Sequence, residues 1–280
     1  MSIEVLKPGL WSSIQDRGRR GYANYGVPAS GAMDAYAAGF ANSVVGNSLD
    51  KAVMEITIQG PKLLFHSTCV VAVAAREAVV EVNARAVEIN TPLALKKGDE
   101  LEVKIVSKGR LAYLSVKFGF QTEEILNSRS MFPSISSKSK IEKGDVLPIR
   151  FKEQKLVKKL AKVHFREEDY GQLIEVSAGP EFPALSIASK ELLQKQCFSL
   201  SADSNRQAYV LNEQVENDLQ NILTCAVMPG TVQLTPSGTL IVLMRDCQVS
   251  GGYPRVLQLP DKSINHLTQM GPELFAFKMI

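Results

Sequence analysis

The sequence predicts a mainly β protein of barrels or sandwiches with a few short helices, and three observations carry that prediction. Apolar and polar residues alternate at period two in short runs, as in VVEVNARAVEI (79–89), ELEVKIV (100–106) and TVQLTPSGTLIVLM (231–244); this is the spacing of a strand with one buried face. Turn signals recur at Gly60-Pro61, Lys97-Gly98-Asp99, Lys143-Gly144-Asp145 and Pro236-Ser237-Gly238, too closely for alternating β and α units. Helical periodicity, by contrast, is confined to two segments.

The first of these is AYAAGFANSVVGN, with Asp34 as N-cap, Tyr36, Ala37, Phe40, Ala41 and Val44 on one face, and Gly46 at the C′ position. The second runs roughly from Ala184 to Gln196, with Leu185, Leu192 and Leu193 as its apolar stripe. The longest apolar run, Cys69 to Ala75, stops at Arg76, far short of the roughly 20 residues of a spanning helix, and reads as a buried strand. KKGDELEVK (96–104), EKGDVLPIR (142–150) and QMGPELFAFK (269–278) read as three turn-then-strand units. QGPKLLF (59–65) and AGPEFPA (178–184) form a second pair, which points to one fold used twice.

A chain of 280 residues with 45% hydrophobic content has ample material for two cores. The expected division is an N-terminal domain with a Gly-rich loop over residues 1–150 and a C-terminal domain over 151–280, joined by a basic linker at about 134–166. The net charge of +3 is uneven: residues 138–166 hold ten Lys and Arg against three acids, leaving 22 against 26 elsewhere. That basic stretch has only Phe151 and Phe165 as stacking surfaces and no nucleic-acid recognition signature, so it reads as a solvated linker. Cys69, Cys197, Cys225 and Cys247 are scattered without a CxxC pair, and MSIEVLKPGLW has no leader character. The expectation is a reducing cytoplasm, with no membrane and no nucleic-acid partner.

Several reaction classes lose their usual marks. There is no GxxxxGK[ST] phosphate loop, no GxGxxG after a strand, no HExxH, no EF-hand loop and no GxSxG elbow. His66, His164 and His266 lie far apart without ligand spacing, so no metal site is expected. Ser137 to Lys140 matches S-x-x-K only within the low-complexity run PSISSKSK. What remains is four polar clusters. Residues 8–34 combine five glycines with Gln15, Asp16, Arg17, Arg19 and Asp34; ILNSRSMFP centres on Arg129; LSADSNRQAY holds Asp203, Asn205 and Arg206; and RDCQVSGGYPR sets Asp246, Tyr253 and Arg255 around Gly251 and Gly252. Arginine forks bind carboxylate or phosphate bidentately, and Ser and Asn complete such a shell. Each cluster taken singly reads equally as a turn cap or a solvated loop.

The order of the clusters is more specific. The block QD-GR-GY-GVP-SGAMD, then EITIQGPKLLF, AYLSVKFGFQTEEILNSRS, SADSNRQAY, PGTVQL and D-CQVSGGYPR together resemble the biotin-dependent carboxyltransferase-like family. That family includes allophanate hydrolase subunit 2, the C component of the prokaryotic ATP-dependent 5-oxoprolinase and the antagonist of a sporulation-kinase inhibitor. The resemblance extends from Pro8 to about Leu259. It implies two cyclophilin-like β-barrel domains and assembly with a homologous B component and an A component. The leading implied activity is ATP-dependent opening of 5-oxoproline to glutamate, with ATP shared among the components and the isolated chain inactive. Asp16, Asp34 and Asp246 are then the candidate catalytic acids. Arg129, Asn205, Arg206, Gly251, Gly252, Tyr253 and Arg255 are the candidate substrate-binding residues, with the two glycines turning the backbone beneath the ligand. The alternatives are a carboxyltransferase component acting on urea or another amide, whose carboxybiotin must be carried elsewhere since no MKM-type site is present, and a non-catalytic regulator that binds a kinase-inhibitor protein.

Overall fold

A computed structural model describes residues 1–150, 165 and 171–280 of the chain. The fold is mainly β, with three short α-helices among the described residues. It divides into two units whose boundaries interleave: Met1–Gly18 with Asp34–Glu167, and Arg19–Met33 with Glu168–Ile280.

In the first unit two antiparallel sheets enclose one core. The six-stranded sheet runs in the order Val146–Pro148, Ser2–Lys7, Lys62–Phe65, Glu100–Lys108, Glu77–Val82, Arg85–Ala86; the five-stranded sheet runs Trp11–Gln15, Val53–Thr57, Leu111–Val116, Cys69–Ala74, Leu93–Leu95. Alternation decides which side chains face inward. Ile3 and Val5 from one sheet meet Ile14, Met54 and Ile56 from the other, all completely buried. Leu111–Val116 is buried at all six positions, because its outer face lies under helix α1 (Ala35–Val44). That helix starts where the sequence places it: the Asp34 carboxylate accepts from Ala37 N at 3.0 Å, and Gly46 takes φ +69° just beyond its end.

The second unit has a six-stranded sheet in the order Ala208–Gln214, Thr239–Leu243, Thr231–Leu234, Arg255–Gln258, Leu173–Ala178, Ala276–Met279, in which the last pair is parallel. A two-stranded ribbon pairs Cys225–Ala226 with Ser250–Gly251. Helix α2 (Ile187–Lys195) begins three residues later than predicted, after a 3₁₀ turn, with Ser186 as its cap. Helix α3 (Asp261–Gln269) is unpredicted; its sequence DKSINHLTQ is polar, and of its six buried residues only Ile264 and Leu267 are apolar.

The doubled Gly-Pro motif has one physical meaning in both units. Gly60 N donates to Val103 O at 3.0 Å, and Gly179 N donates to Val256 O at 2.9 Å. A Cβ on Gly60 would lie 2.5 Å from the Val103 side chain, and one on Gly179 would lie 2.2 Å from Arg255 O. Each glycine therefore permits a close approach of the neighbouring strand, through the Val103 side chain at Gly60 and the Arg255 backbone at Gly179. The first two turn-then-strand units are alike: Asp99 accepts from Lys96 N and Asp145 from Glu142 N, beside glycines at φ +91° and +86°. The third differs, since Gly271 follows α3 without a left-handed φ. The predicted linker is partly structural: Ile141, Leu147 and Ile149 are buried in the first core, and its residues 151–164 and 166 lie outside the described residues. Among the described residues no helix is long and apolar enough to cross a membrane.

Candidate functional site

On the outer face of the first unit's five-stranded sheet, the strand period brings Ser13, Gln15, Glu55, Tyr113 and Ser115 to one side, all of them buried. Burial of so many polar groups requires a hydrogen-bonded layer. Asp34 N donates to the Tyr113 hydroxyl at 2.8 Å, and that hydroxyl is 2.8 Å from Glu55 Oε2. A backbone N–H can only donate, so the phenolic proton points at Glu55. Burial, and then the nearby Glu55 and Asp34 charges, push the Tyr113 hydroxyl well above its ordinary pKa. Ser115 Oγ donates to Asn42 Oδ1 at 2.7 Å, which ties α1 to the sheet. Asp34 itself is fully buried and serves as the helix cap.

Asp16, at the end of the strand Trp11–Gln15, is a hub. Its Oδ1 accepts from Gly18 N at 2.8 Å, Ser128 Oγ at 2.6 Å and Ser130 Oγ at 2.7 Å, and its Oδ2 accepts from Arg129 N at 2.6 Å. The structure thus brings the Asp16 and Arg129 blocks together, through the Arg129 backbone. The Arg129 guanidinium reaches Thr122 O and, at 2.8 Å, Glu124. It lines a cleft of about 210 Å³ together with Met131, Ser136 and Lys138. Gln15 Nε2 donates to Met131 O at 3.2 Å and to Ser13 Oγ at 3.0 Å, which fixes the amide orientation. Its Oε1 is buried with no partner among the described residues.

In the second unit Arg206 and Asp246 form a fork: Nε to Oδ2 is 2.7 Å and Nη2 to Oδ1 is 3.2 Å, with Nη2 also donating to Gly31 O at 2.6 Å. Side-chain exposures of 15% and 5% make this a largely desolvated pair. Arg255 is held the same way by Glu181, with Nη2 to Oε1 at 2.8 Å, Nε to Oε2 at 3.0 Å and the Arg255 N–H to Oε2 at 2.8 Å. The guanidinium holds the Glu181 carboxyl below its ordinary range. Asn205 caps its own turn, accepting from Gln207 N at 2.8 Å, while Tyr253 is 38% exposed.

The expected glycine turn is corrected here. Neither Gly251 nor Gly252 takes a left-handed φ. Gly251 lies in the ribbon opposite Cys225, and a Cβ on it would come within 2.5 Å of Gln233 Nε2. Gly251 thus leaves room for the flexible end of the Gln233 side chain. Gln233 is 1% exposed and its Nε2 has no partner among the described residues.

Glu55, Tyr113, Glu181 and Gln233 escaped the reading of clusters because each stands alone in an ordered strand or turn. The available signal was Glu55 between Met54 and Ile56, and Tyr113 and Ser115 alternating in LAYLSV, polar outward positions on strands flanked by apolar ones. Among the described residues no group of three or more His, Cys, Asp or Glu side chains is arranged to hold a metal ion.

Comparison with known proteins fits this arrangement. The chain is 27% identical over 274 residues to the C component of 5-oxoprolinase from Escherichia coli (strain K12), covering 96% of this chain and 87% of that protein. Over 132 residues it is 40% identical to urea amidolyase of Lachancea kluyveri, which covers 47% of this chain and 7% of the relative. The crystal structure of the K. lactis urea amidolyase superposes with a TM-score of 0.87 at 28% identity, over 99% of this chain and 18% of the other. The model of the carboxyltransferase domain, subdomain A and B, matches residues 25–277. With a match that spans both units, the chain belongs to the carboxyltransferase domain family of subdomains A and B.

Proposed function

We propose that the chain is the C component of an ATP-dependent 5-oxoprolinase that opens 5-oxo-L-proline to L-glutamate together with the A and B components. The observation that carries this reading is the nearly end-to-end similarity to a protein named as such a component, at 96% coverage of this chain. Within the first unit, the buried Gln15 carbonyl has no partner among the described residues, and the N–H of an amide or lactam is a complementary donor for it.

Arg129, Arg206 and Arg255 are each engaged by a carboxylate, and in this reading ATP is shared with the partner components. Asp16, Asp34 and Asp246 hold a loop, a helix end and an arginine respectively. The protein works in the cytoplasm, where its free thiols stay reduced. The test is reconstitution. ATP-dependent glutamate release from 5-oxoproline should appear only when the chain is mixed with the A and B components, and glutamate release by the chain alone would overturn the assignment. The 40% identity to urea amidolyase over 132 residues favours one other reading, a carboxyltransferase component that takes carboxybiotin from a separate carrier to urea; biotin-dependent urea carboxylation without lactam hydrolysis would select it.

A further inference from the structure

The loop between the Asp16 hub and α1 is used in two different ways along its length. At its neck Arg19 is 2% exposed and its N–H donates to Ala29 O at 2.6 Å. Beyond the neck the chain forms a compact tip: Tyr25 N donates to Tyr22 O at 3.0 Å and Gly26 N to Ala23 O at 2.9 Å, closing the 3₁₀ turn Ala23–Tyr25. Gly21 and Gly26 take φ of +88° and +77°, and a Cβ at either would meet nothing within 4 Å. The tip therefore projects into open space with an ordered backbone. At it stands Tyr25, 76% exposed, and Arg20, in the same loop just past the neck, is also exposed. Residues 17–33 contain three arginines and no acid.

Holding a loop in one conformation costs chain entropy, and here it presents to water a tyrosine and an arginine, the residue types that anchor protein interfaces. An exposed aromatic held in an ordered turn with an exposed cation in the same loop calls for a surface that is apolar at its centre and acidic around it. We propose that the tip around Arg20 and Tyr25 is a docking prong for an acidic face of a partner protein in the assembled enzyme. The proposal rests on the reading that this chain works as one component of a larger enzyme.

The test titrates the purified A and B components with the wild-type chain and with Tyr25→Ala, Arg20→Glu and Arg20→Lys, by calorimetry or interferometry. Both contacts are exposed, so the three variants should melt within about 1 °C of wild type, as surface changes away from packing do. Tyr25→Ala and Arg20→Glu should each weaken binding by about tenfold or more. Arg20→Lys should keep most of the affinity, and wild-type association should slow as salt rises. Wild-type affinity retained in both Tyr25→Ala and Arg20→Glu overturns the prong while leaving the reading of the chain as an enzyme component intact. No binding by wild type overturns both. Thermal protection of the isolated chain by millimolar phosphate or glutamate, abolished in Arg20→Glu while partner affinity is unchanged, makes the loop a small-anion site and also overturns the proposal.

Discussion

Replacing Arg206 by alanine tests whether the arginines of the ordered polar clusters serve the fold or a ligand. The Asp246 carboxylate is 4% exposed and shares two contacts, at 2.7 and 3.2 Å, with Arg206, whose Nη2 also holds Gly31 O at 2.6 Å. Removing one partner of such a pair strands a buried charge, at a cost of about 3–5 kcal/mol. At roughly 2–4 °C per kcal/mol for a chain of this size, Arg206→Ala should melt on the order of 10 °C below wild type. Urea unfolding followed by circular dichroism reads the same change as a fall in midpoint. Arg206→Ala with Asp246→Ala should recover a substantial part of the loss, because the uncompensated charge is gone. Arg206→Lys should recover little, since an ammonium cannot make the fork. Stability of Arg206→Ala within about 0.5 kcal/mol of wild type would refute the reasoning and return Arg206 to the list of ligand arms.

Three further outcomes follow from the same geometry. Gly179→Ala drives a methyl group to 2.2 Å from the Arg255 carbonyl oxygen, so the backbone must shift, and the variant should lose about 1–3 kcal/mol while Gly171→Ala, with open space around it, loses little; chemical denaturation of the two compares them directly. Burial pushes the Cys69 and Cys247 thiols up to about 12, whereas Cys197 is exposed, so peptide mapping after iodoacetamide at neutral pH should find Cys197 labelled first and Cys69 and Cys247 only after unfolding. Glu181 is held below its ordinary value of 4.5 by Arg255, so its contribution is present above that value and is lost as pH falls through the lowered one; Glu181→Gln should be less stable at neutral pH and show a flatter loss toward pH 3, and parallel acid limbs for the two proteins would contradict the pairing.

Strands and turns were readable because their rules are local. Period-two alternation locates Glu100–Lys108 and Thr231–Leu234, and the Asp34 cap with Gly46 brackets α1 almost to the residue. Helix α3 was not readable, since nine polar-rich residues gain their helicity from packing Ile264 and Leu267 and not from propensity. The same limit governs the site. Arginine-rich blocks announce themselves by composition, but whether a guanidinium faces a ligand or a carboxylate from a distant turn depends on tertiary placement, and Glu181 lies 74 positions from Arg255. Gly251 shows how a correct choice of residue can carry the wrong reason. The glycine stands beside the end of the Gln233 side chain and not at a left-handed turn.

That distinction bears on where specificity resides. A donor or acceptor already satisfied inside the chain gains little from a substrate, because binding must first break what it replaces, and net hydrogen-bond gains are only about 0.5–1.5 kcal/mol. Asp16 with four accepted bonds and Arg255 with its carboxylate fork are poor choices for selecting a ligand and good ones for holding a shape. A buried polar atom left without a partner costs about 1–3 kcal/mol in the empty protein, which an arriving complementary group offsets. The Gln15 carbonyl in the first unit is such an atom among the described residues, and its orientation is fixed because Gln15 Nε2 donates to the Met131 carbonyl. The carboxylate-bound arginines therefore hold each unit's own fold, whereas a group such as the Gln15 carbonyl is marked by neither motif nor charge.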